Sequence, residues 1–180
     1  MITERDRNYI KWQNRAFWFY LAARACWHKE FHPPTVFLSH QVVELLLKAT
    51  LIWWNNLIEP KSFGHDLKSL LQSINENVDI PRGREFTIPE YFLNNSHKYQ
   101  TASRYPESSD QGYGIPDTFL PDLDRLFTEL VEMVPFQFNS ELYRTLNRKE
   151  IADNYYVELE RNNECMDRLR EHVGCLVDQH

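Results

Sequence analysis

The sequence predicts an all-α fold, an up-and-down bundle of five to six helices with an extra helix at its C-terminal end. Apolar residues recur at steps of three and four through most of the chain, and no strand-like alternation persists. Only five of the 180 residues are glycine, which disfavours β-rich folds with many tight turns. A hydrophobic share of 42% and an aromatic share of 14% provide enough bulk for one packed core.

Two long helices are predicted at the start of the chain. An apolar stripe over about residues 9–29 indicates the first helix. We expect Pro33 and Pro34 to end it, because the residue before a proline is disfavoured in helical conformation. The second helix is expected over about residues 35–57 and contains the stretch FLSHQVVELLLKATLIWW, which is apolar on most sides.

Three shorter helices are predicted in the middle of the chain. HDLKSLLQSI indicates a third helix with Asp66 in its first turn, where the helix dipole favours an anion. In TIPEYFLNNSHKY, Thr87 and Glu90 have the spacing of a capping box. Apolar residues over 118–134 form a further amphipathic stripe.

The last segment, from residue 139 to about 177, is expected to be helical and highly charged, with a break near Asn147 or Asp153. We therefore divide the chain into a bundle over residues 1–138 and a helical extension over 139–180. The extension is expected to pack on the bundle or on a dimer partner through one apolar seam: Tyr155, Leu159, Met166, Leu169, Val173 and Leu176.

Charge and composition limit the class of protein. The net charge of −6 argues against general nucleic-acid binding, which needs a cationic surface. The N-terminus MITERDRNYIKW lacks the apolar run of a secretion signal, and the apolar run over 42–54 contains Glu44 and Lys48 and is expected to be too short to span a membrane. The three cysteines lack metal-ligand spacing. These features predict a cytoplasmic protein with no membrane segment and no metal.

A narrow polar edge runs along the second helix. At 100° per residue, Gln41, Glu44, Lys48 and Asn55 fall within a wedge of roughly 60°. Glu44 and Lys48 have the favourable order for an i,i+4 ion pair. This edge either faces water, or lines a pocket or a dimer interface. The second alternative requires paired charges, because an unpaired buried charge is strongly disfavoured.

Several segments together resemble a HEPN domain, a helical bundle family of higher eukaryotes and prokaryotes. The resemblance depends on the order of five segments in the chain: AFWFYLAARAC, FLSHQVVELLLKATLIW, GHDLKSLL, SRYPES and FLPDLDRLFTEL. Its signature elements are Glu44 with Lys48, the GHDL turn at 64–67 and the RYP tripeptide at 104–106. The resemblance covers about residues 9–134 and leaves out the C-terminal extension.

The resemblance implies two branches of function. Many HEPN domains are dimeric ribonucleases, often paired with an antitoxin, and carry an arginine followed after four to six residues by a histidine. No arginine in this sequence has that spacing to a histidine. The other branch has an RYP-like motif without this pair and is linked with nucleotide binding or with a minimal nucleotidyltransferase partner. The sequence therefore favours the second branch, with no catalytic residues.

The site that the resemblance implies joins two polar groups on the second helix, the GHDL turn and the RYP motif. Arg104 and Lys48 would hold phosphate, and Tyr105 would stack on the ligand or donate a hydrogen bond. Alternatively, Arg104 caps a helix end or pairs with Glu44, and Tyr105 fills the core. No cofactor is predicted other than a nucleotide ligand with Mg²⁺, and the predicted ligand-binding residues are Glu44, Lys48, His65, Asp66, Arg104 and Tyr105.

Two other interpretations remain open. A divergent HEPN ribonuclease would use Arg104 with a histidine that lies near it in space, such as His97 or His65. A pure interaction or scaffold protein would instead use the polar edge and the last helix to form a dimer. A homodimer is expected in the favoured interpretation, because two-fold dimers are the commonest assembly.

Overall fold

The computed structural model describes residues 4–54, 60–78, 86–93, 115–134, 140–147 and 153–175. Within these ranges the chain is helical and contains no strand, which confirms the predicted all-α class. Besides a 3-10 helix over Pro60–Phe63 and one helical turn over 90–93, the elements are α1 (Glu4–Trp27), α2 (His32–Trp54), α3 (Leu67–Asn77), α4 (Phe119–Glu132), α5 (Glu141–Asn147), α6 (Asp153–Glu160) and α7 (Met166–Cys175).

Helices α1 and α2 form a long antiparallel hairpin. Tyr9 at the start of α1 meets Trp53 at the end of α2 edge-to-face, with 5.0 Å between ring centroids, and Trp27 meets His32 at the other end. The prediction that the two prolines end the first helix was wrong. Pro33 and Pro34 instead lie in the first turn of α2, where a backbone N–H has no helical partner and proline is tolerated.

Helix α4 packs against the hairpin and runs antiparallel to α1. Phe127 stacks on Tyr20 at 3.9 Å between ring centroids, and Phe119 stacks on Trp27 at 5.6 Å. At the other end, the Trp54 indole N–H donates to the main-chain carbonyl of Met133 at 2.8 Å. Aromatic packing along α4 therefore closes one side of the core.

Helix α2 is the central element, because almost its whole circumference is buried. The residues with least exposure include Val42, Val43, Leu47 and Leu51, each at 0%. The helix is long and apolar enough to cross a membrane, contrary to the expectation from its sequence, with a mean hydropathy of 1.4 over its most apolar window. Because 78% of that window is buried inside the protein, its apolar character is accounted for by the core.

The predicted C-terminal extension is helical over 141–147, 153–160 and 166–175, and α5 ends at Asn147, one of the two places where a break is predicted. A turn over 161–165, with Asn162 at φ +52°, separates α6 from α7, a break that the sequence pattern does not predict. Leu159, Met166 and Leu169 are buried as expected, whereas Tyr155 is 47% exposed. Helix α6 packs on α1, since Tyr155 meets Trp18 edge-to-face.

Candidate functional site

The two charged residues of the polar edge of α2 are buried within the chain. The exposed fraction is 3% for Glu44 and 4% for Lys48. The Lys48 ammonium donates to Glu44 Oε1 at 2.7 Å and to the main-chain carbonyl of Gly64 at 2.5 Å. The alternative in which this edge faces water is therefore wrong for both charged residues. They are paired, as burial requires.

The turn that follows the 3-10 helix covers this pair. Gly64 adopts φ +56°, a left-handed conformation that glycine reaches without the cost a side chain would add. The turn brings Gly64 O to Lys48 and places His65 Nδ1 at 2.8 Å from Glu44 Oε2. The His65 side chain is 60% exposed. We call Glu44, Lys48 and His65 the central cluster; it begins in the core and ends in solvent.

Two neighbouring side chains complete the surroundings of the Glu44–Lys48 pair. The Lys48 Nζ lies 5.6 Å from the centroid of the Trp12 ring, within the range of a cation–π contact. Gln41 Nε2 lies 3.4 Å from Glu44 Oε2, the oxygen that also meets His65. Lys48 is thus enclosed by a carboxylate, a carbonyl and an indole, and does not face solvent.

His40 lies one helical turn before Glu44 and is 3% exposed. Its Nε2 is 3.6 Å from Glu44 Oε2, and among the described residues neither ring nitrogen has a hydrogen-bond partner. Burial lowers the pKa of His40 to about 4, outweighing the attraction of Glu44. The ring is therefore neutral at pH 7, and its contact with Glu44 is not a salt bridge.

Asp66 is the N-cap residue of α3. The prediction that it lies within the first turn of this helix was wrong by one position. Its carboxylate accepts from the backbone N–H groups of Lys68 and Ser69 at 2.9 and 3.3 Å, and from the Ser69 hydroxyl at 2.6 Å. The hydrogen bond from the Ser69 hydroxyl is the main reason that the Asp66 pKa lies below its usual range. Asp66 thereby fixes where α3 begins, directly after His65.

Of the six predicted site residues, the structure brings Glu44, Lys48 and His65 into contact. Asp66 adjoins them in the chain, but its described hydrogen bonds serve the helix cap. Arg104 and Tyr105 lie outside the described residues. The predicted meeting of Arg104 with the polar edge therefore stays a prediction.

The structure contains a second buried ionic cluster, which the sequence did not predict. Arg24 is 0% exposed, and its guanidinium contacts Asp124 and the main-chain carbonyls of Glu158 and Arg161, the last two at the C-terminal end of α6. No local sequence pattern predicts that Arg24 pairs with Asp124, because the two residues lie 100 positions apart in the chain. The position of Arg24 within an otherwise apolar stripe indicates that this arginine is buried, but it does not identify its partners.

Tyr20 and Asn163 complete this second cluster. The Tyr20 hydroxyl donates to Asp124 Oδ1 at 2.6 Å and accepts from Asn163 Nδ2 at 3.0 Å. Burial raises the pKa of Tyr20, so the hydroxyl keeps its proton. We call Tyr20, Arg24, Asp124 and Asn163 the C-terminal clamp, because they attach the chain around residues 158–163 to α1 and α4.

The two clusters differ in the chemistry they allow. Every member of the clamp is buried and directed at protein groups. The central cluster instead presents an imidazole to solvent, oriented from behind by a buried carboxylate. Such a pair can bind a ligand or move a proton. Among the described residues, no three His, Cys, Asp or Glu side chains are grouped to hold a metal ion.

Fold and site together define a helical-bundle domain with a buried Glu-x-x-x-Lys pair on its central helix. The family model described as the HEPN domain matches residues 9–133, and the chain belongs to this family. HEPN domains form a nucleotide-binding and ribonuclease-like family. No curated protein and no solved structure matches the chain. The family match contains the whole central cluster but ends before residues 158–163 of the C-terminal clamp.

Proposed function

We propose that this protein is a non-catalytic HEPN-family protein that binds a nucleotide at the solvent-exposed end of the central cluster. The proposal depends on one observation: Nδ1 of the exposed His65 lies 2.8 Å from Oε2 of Glu44, whose side chain is only 3% exposed. Ordering an exposed ring costs conformational entropy, and here a buried ion pair stabilises that order. Arg104 and Tyr105 complete the proposed site, with Arg104 on phosphate and Tyr105 on the base.

The geometry supports a specific division of roles. Lys48 has its ammonium on Glu44 and Gly64, so its part is to hold Glu44 and the turn rather than to contact phosphate. His65 is the member of the central cluster that a ligand reaches. The phosphate contact then depends on Arg104, whose fork of N–H donors suits a phosphate.

Isothermal titration calorimetry with ATP and GTP, each with Mg²⁺, tests this proposal. We expect saturable heat at or below millimolar nucleotide, reduced at least fivefold in affinity by His65→Ala. The matched control is His32→Ala, an exposed histidine about 18 Å along α2 from Glu44, and it should leave binding unchanged. If neither ATP nor GTP gives heat of binding at millimolar concentration, the proposal is ruled out.

The proposal includes a homodimer in the cytoplasm and a minimal nucleotidyltransferase as partner. Light scattering on the purified protein measures its oligomeric state. A monomer at micromolar concentration would contradict the proposed homodimer. Charge reversal of Arg104 should weaken the binding of a nucleotidyltransferase encoded beside this chain. Unchanged binding would remove the RYP motif from that interface.

A divergent ribonuclease is the second candidate, favoured by the carboxylate–imidazole pair of Glu44 and His65. Its arginine would be Arg104, with His65 or His97 as the base. Incubation of the purified protein with total RNA distinguishes the two candidates. Our proposal expects no cleavage above that of a His65→Ala, Arg104→Ala double variant. Cleavage that either single variant abolishes, with the fold intact by circular dichroism, would establish the ribonuclease instead.

A further inference from the structure

The orientation of the His65 ring determines what its second nitrogen, Nε2, offers to a ligand. Glu44 Oε1 accepts from the Lys48 ammonium at 2.7 Å, so Glu44 is held as a carboxylate that can only accept hydrogen bonds. His65 Nδ1 lies 2.8 Å from the other carboxylate oxygen, Oε2. The proton of this hydrogen bond therefore resides on Nδ1. In the neutral ring, Nε2 then carries a lone pair and no proton.

The charge balance of the central cluster favours an uncharged ligand group at Nε2. The carboxylate of Glu44 and the ammonium of Lys48 cancel, and both are at most 4% exposed. A neutral His65 adds no positive charge. A phosphate oxygen would meet the lone pair of Nε2 as an acceptor facing an acceptor, which is unfavourable. A hydroxyl group, which donates, is the complementary partner.

We propose that His65 Nε2 accepts a hydrogen bond from a ribose hydroxyl of the bound nucleotide, and that Glu44 and Lys48 act as positioning residues that fix the accepting tautomer. This inference rests on the proposed nucleotide binding and assigns the sugar, rather than the phosphates, to the central cluster. The ribose hydroxyls are donors that every ribonucleotide shares, whereas the donors of the bases differ. The site should thus prefer ribonucleotides whatever the base.

The tautomer can be tested without any ligand. At pH 8, where an ordinary histidine is neutral, the ¹⁵N chemical shifts of His65 should show a protonated Nδ1 and an unprotonated Nε2. Glu44→Gln, which replaces the carboxylate by an amide, should shift the ring toward the Nε2-protonated form that free histidine prefers. A wild-type His65 that is protonated on Nε2 would overturn the inference, whatever the protein binds.

The contact between His65 and a ribose hydroxyl is tested by measuring the affinity for ATP and UTP, and for their 2′-deoxy and 3′-deoxy forms, at pH 8. Removal of the contacting hydroxyl should weaken binding about tenfold, the worth of one hydrogen bond of about 1.4 kcal/mol, and equally for both bases. His65→Asn keeps an amide N–H at the place of Nδ1 but has no acceptor at the place of Nε2. This variant should lose the preference for ribonucleotides.

The outcomes separate this inference from the proposed function. If ribonucleotides and both deoxy forms bind equally, nucleotide binding stands and the role of His65 is overturned. If removal of a hydroxyl weakens binding of ATP but not of UTP, the contact belongs to the base, and the inference is again overturned. If no nucleotide binds, the proposed function fails, and the assignment of the ribose fails with it.

Discussion

The central cluster and the C-terminal clamp both bury opposite charges in the same helical core, yet they are built differently. In the central cluster, Glu44 and Lys48 stand four residues apart on one helix, and the network ends at a ring that is 60% exposed. In the clamp, Arg24 meets an aspartate 100 residues away, and its guanidinium is fully enclosed. One network is local and open to solvent; the other is long-range and closed.

This difference separates a structural role from a ligand-binding one. A buried charge needs a partner for every polar group, and in the clamp the protein itself provides all of them. The clamp is therefore complete, and its effect is to fix α6 on the bundle. In the central cluster, no described residue hydrogen-bonds to Nε2 of His65, whose side chain is 60% exposed. A ligand that met Nε2 would therefore displace none of the described hydrogen bonds of this network.

The largest effect that we predict is on the clamp. Arg24→Met leaves Asp124 as an uncompensated buried charge and two carbonyls without their donor, so unfolding should become about 5 kcal/mol easier. Urea denaturation followed by circular dichroism measures this loss. The matched control is Arg144→Met, an arginine 49% exposed in its pair with Glu141, which should cost less than about 0.5 kcal/mol.

The double variant Arg24→Met, Asp124→Leu sharpens this test. It removes both charges, so it should recover a large part of the lost stability, because an apolar pair often replaces a buried ion pair at little cost. A loss below about 1 kcal/mol for Arg24→Met would show that water reaches the clamp, and the contrast with the central cluster would disappear.

A smaller loss is expected from the central cluster. Lys48→Met leaves Glu44 buried with His65 and frees the Gly64 carbonyl, which should cost about 3–4 kcal/mol. The loss is smaller than for Arg24 because the exposed His65 side lets water approach the carboxylate. Hydrogen exchange should become faster at the backbone amides of His65 and Asp66. Unchanged exchange there would mean that Lys48 does not hold this turn.

Acid should destabilise the protein through His40, which lies beside the central cluster. Its pKa is about 4 in the folded protein and about 6.5 in the unfolded chain, so the unfolded state takes up the proton first. The neutral ring contributes fully to the free energy of unfolding above pH 6.5. This contribution, about 3 kcal/mol in total, is lost as the pH falls to 4. His40→Leu should abolish this part of the pH dependence. Parallel pH profiles for both proteins would contradict the assignment.

The fold could largely be predicted from the apolar stripes, because helices of this length bury one broad face whatever their neighbours are. The pairing of Glu44 with Lys48 could also be predicted, since four residues make one turn. Its burial could not, because the cover comes from Gly64 and His65 in another segment. The role of Arg24 depends on partners 100 or more residues away, and helical spacing carries no information about them.

The smallest effect distinguishes Asp66 from the central cluster beside it. Asp66→Ala removes the side-chain cap of α3 and should cost about 1 kcal/mol, measured by urea denaturation. Asp66→Ser retains a capping oxygen and should restore most of that stability. Because the carboxylate of Asp66 is directed at its own helix, nucleotide affinity should change less than twofold in both variants. A tenfold weaker affinity in Asp66→Ser would instead make this carboxylate part of the ligand site, and the site would then extend from His65 onto the start of α3.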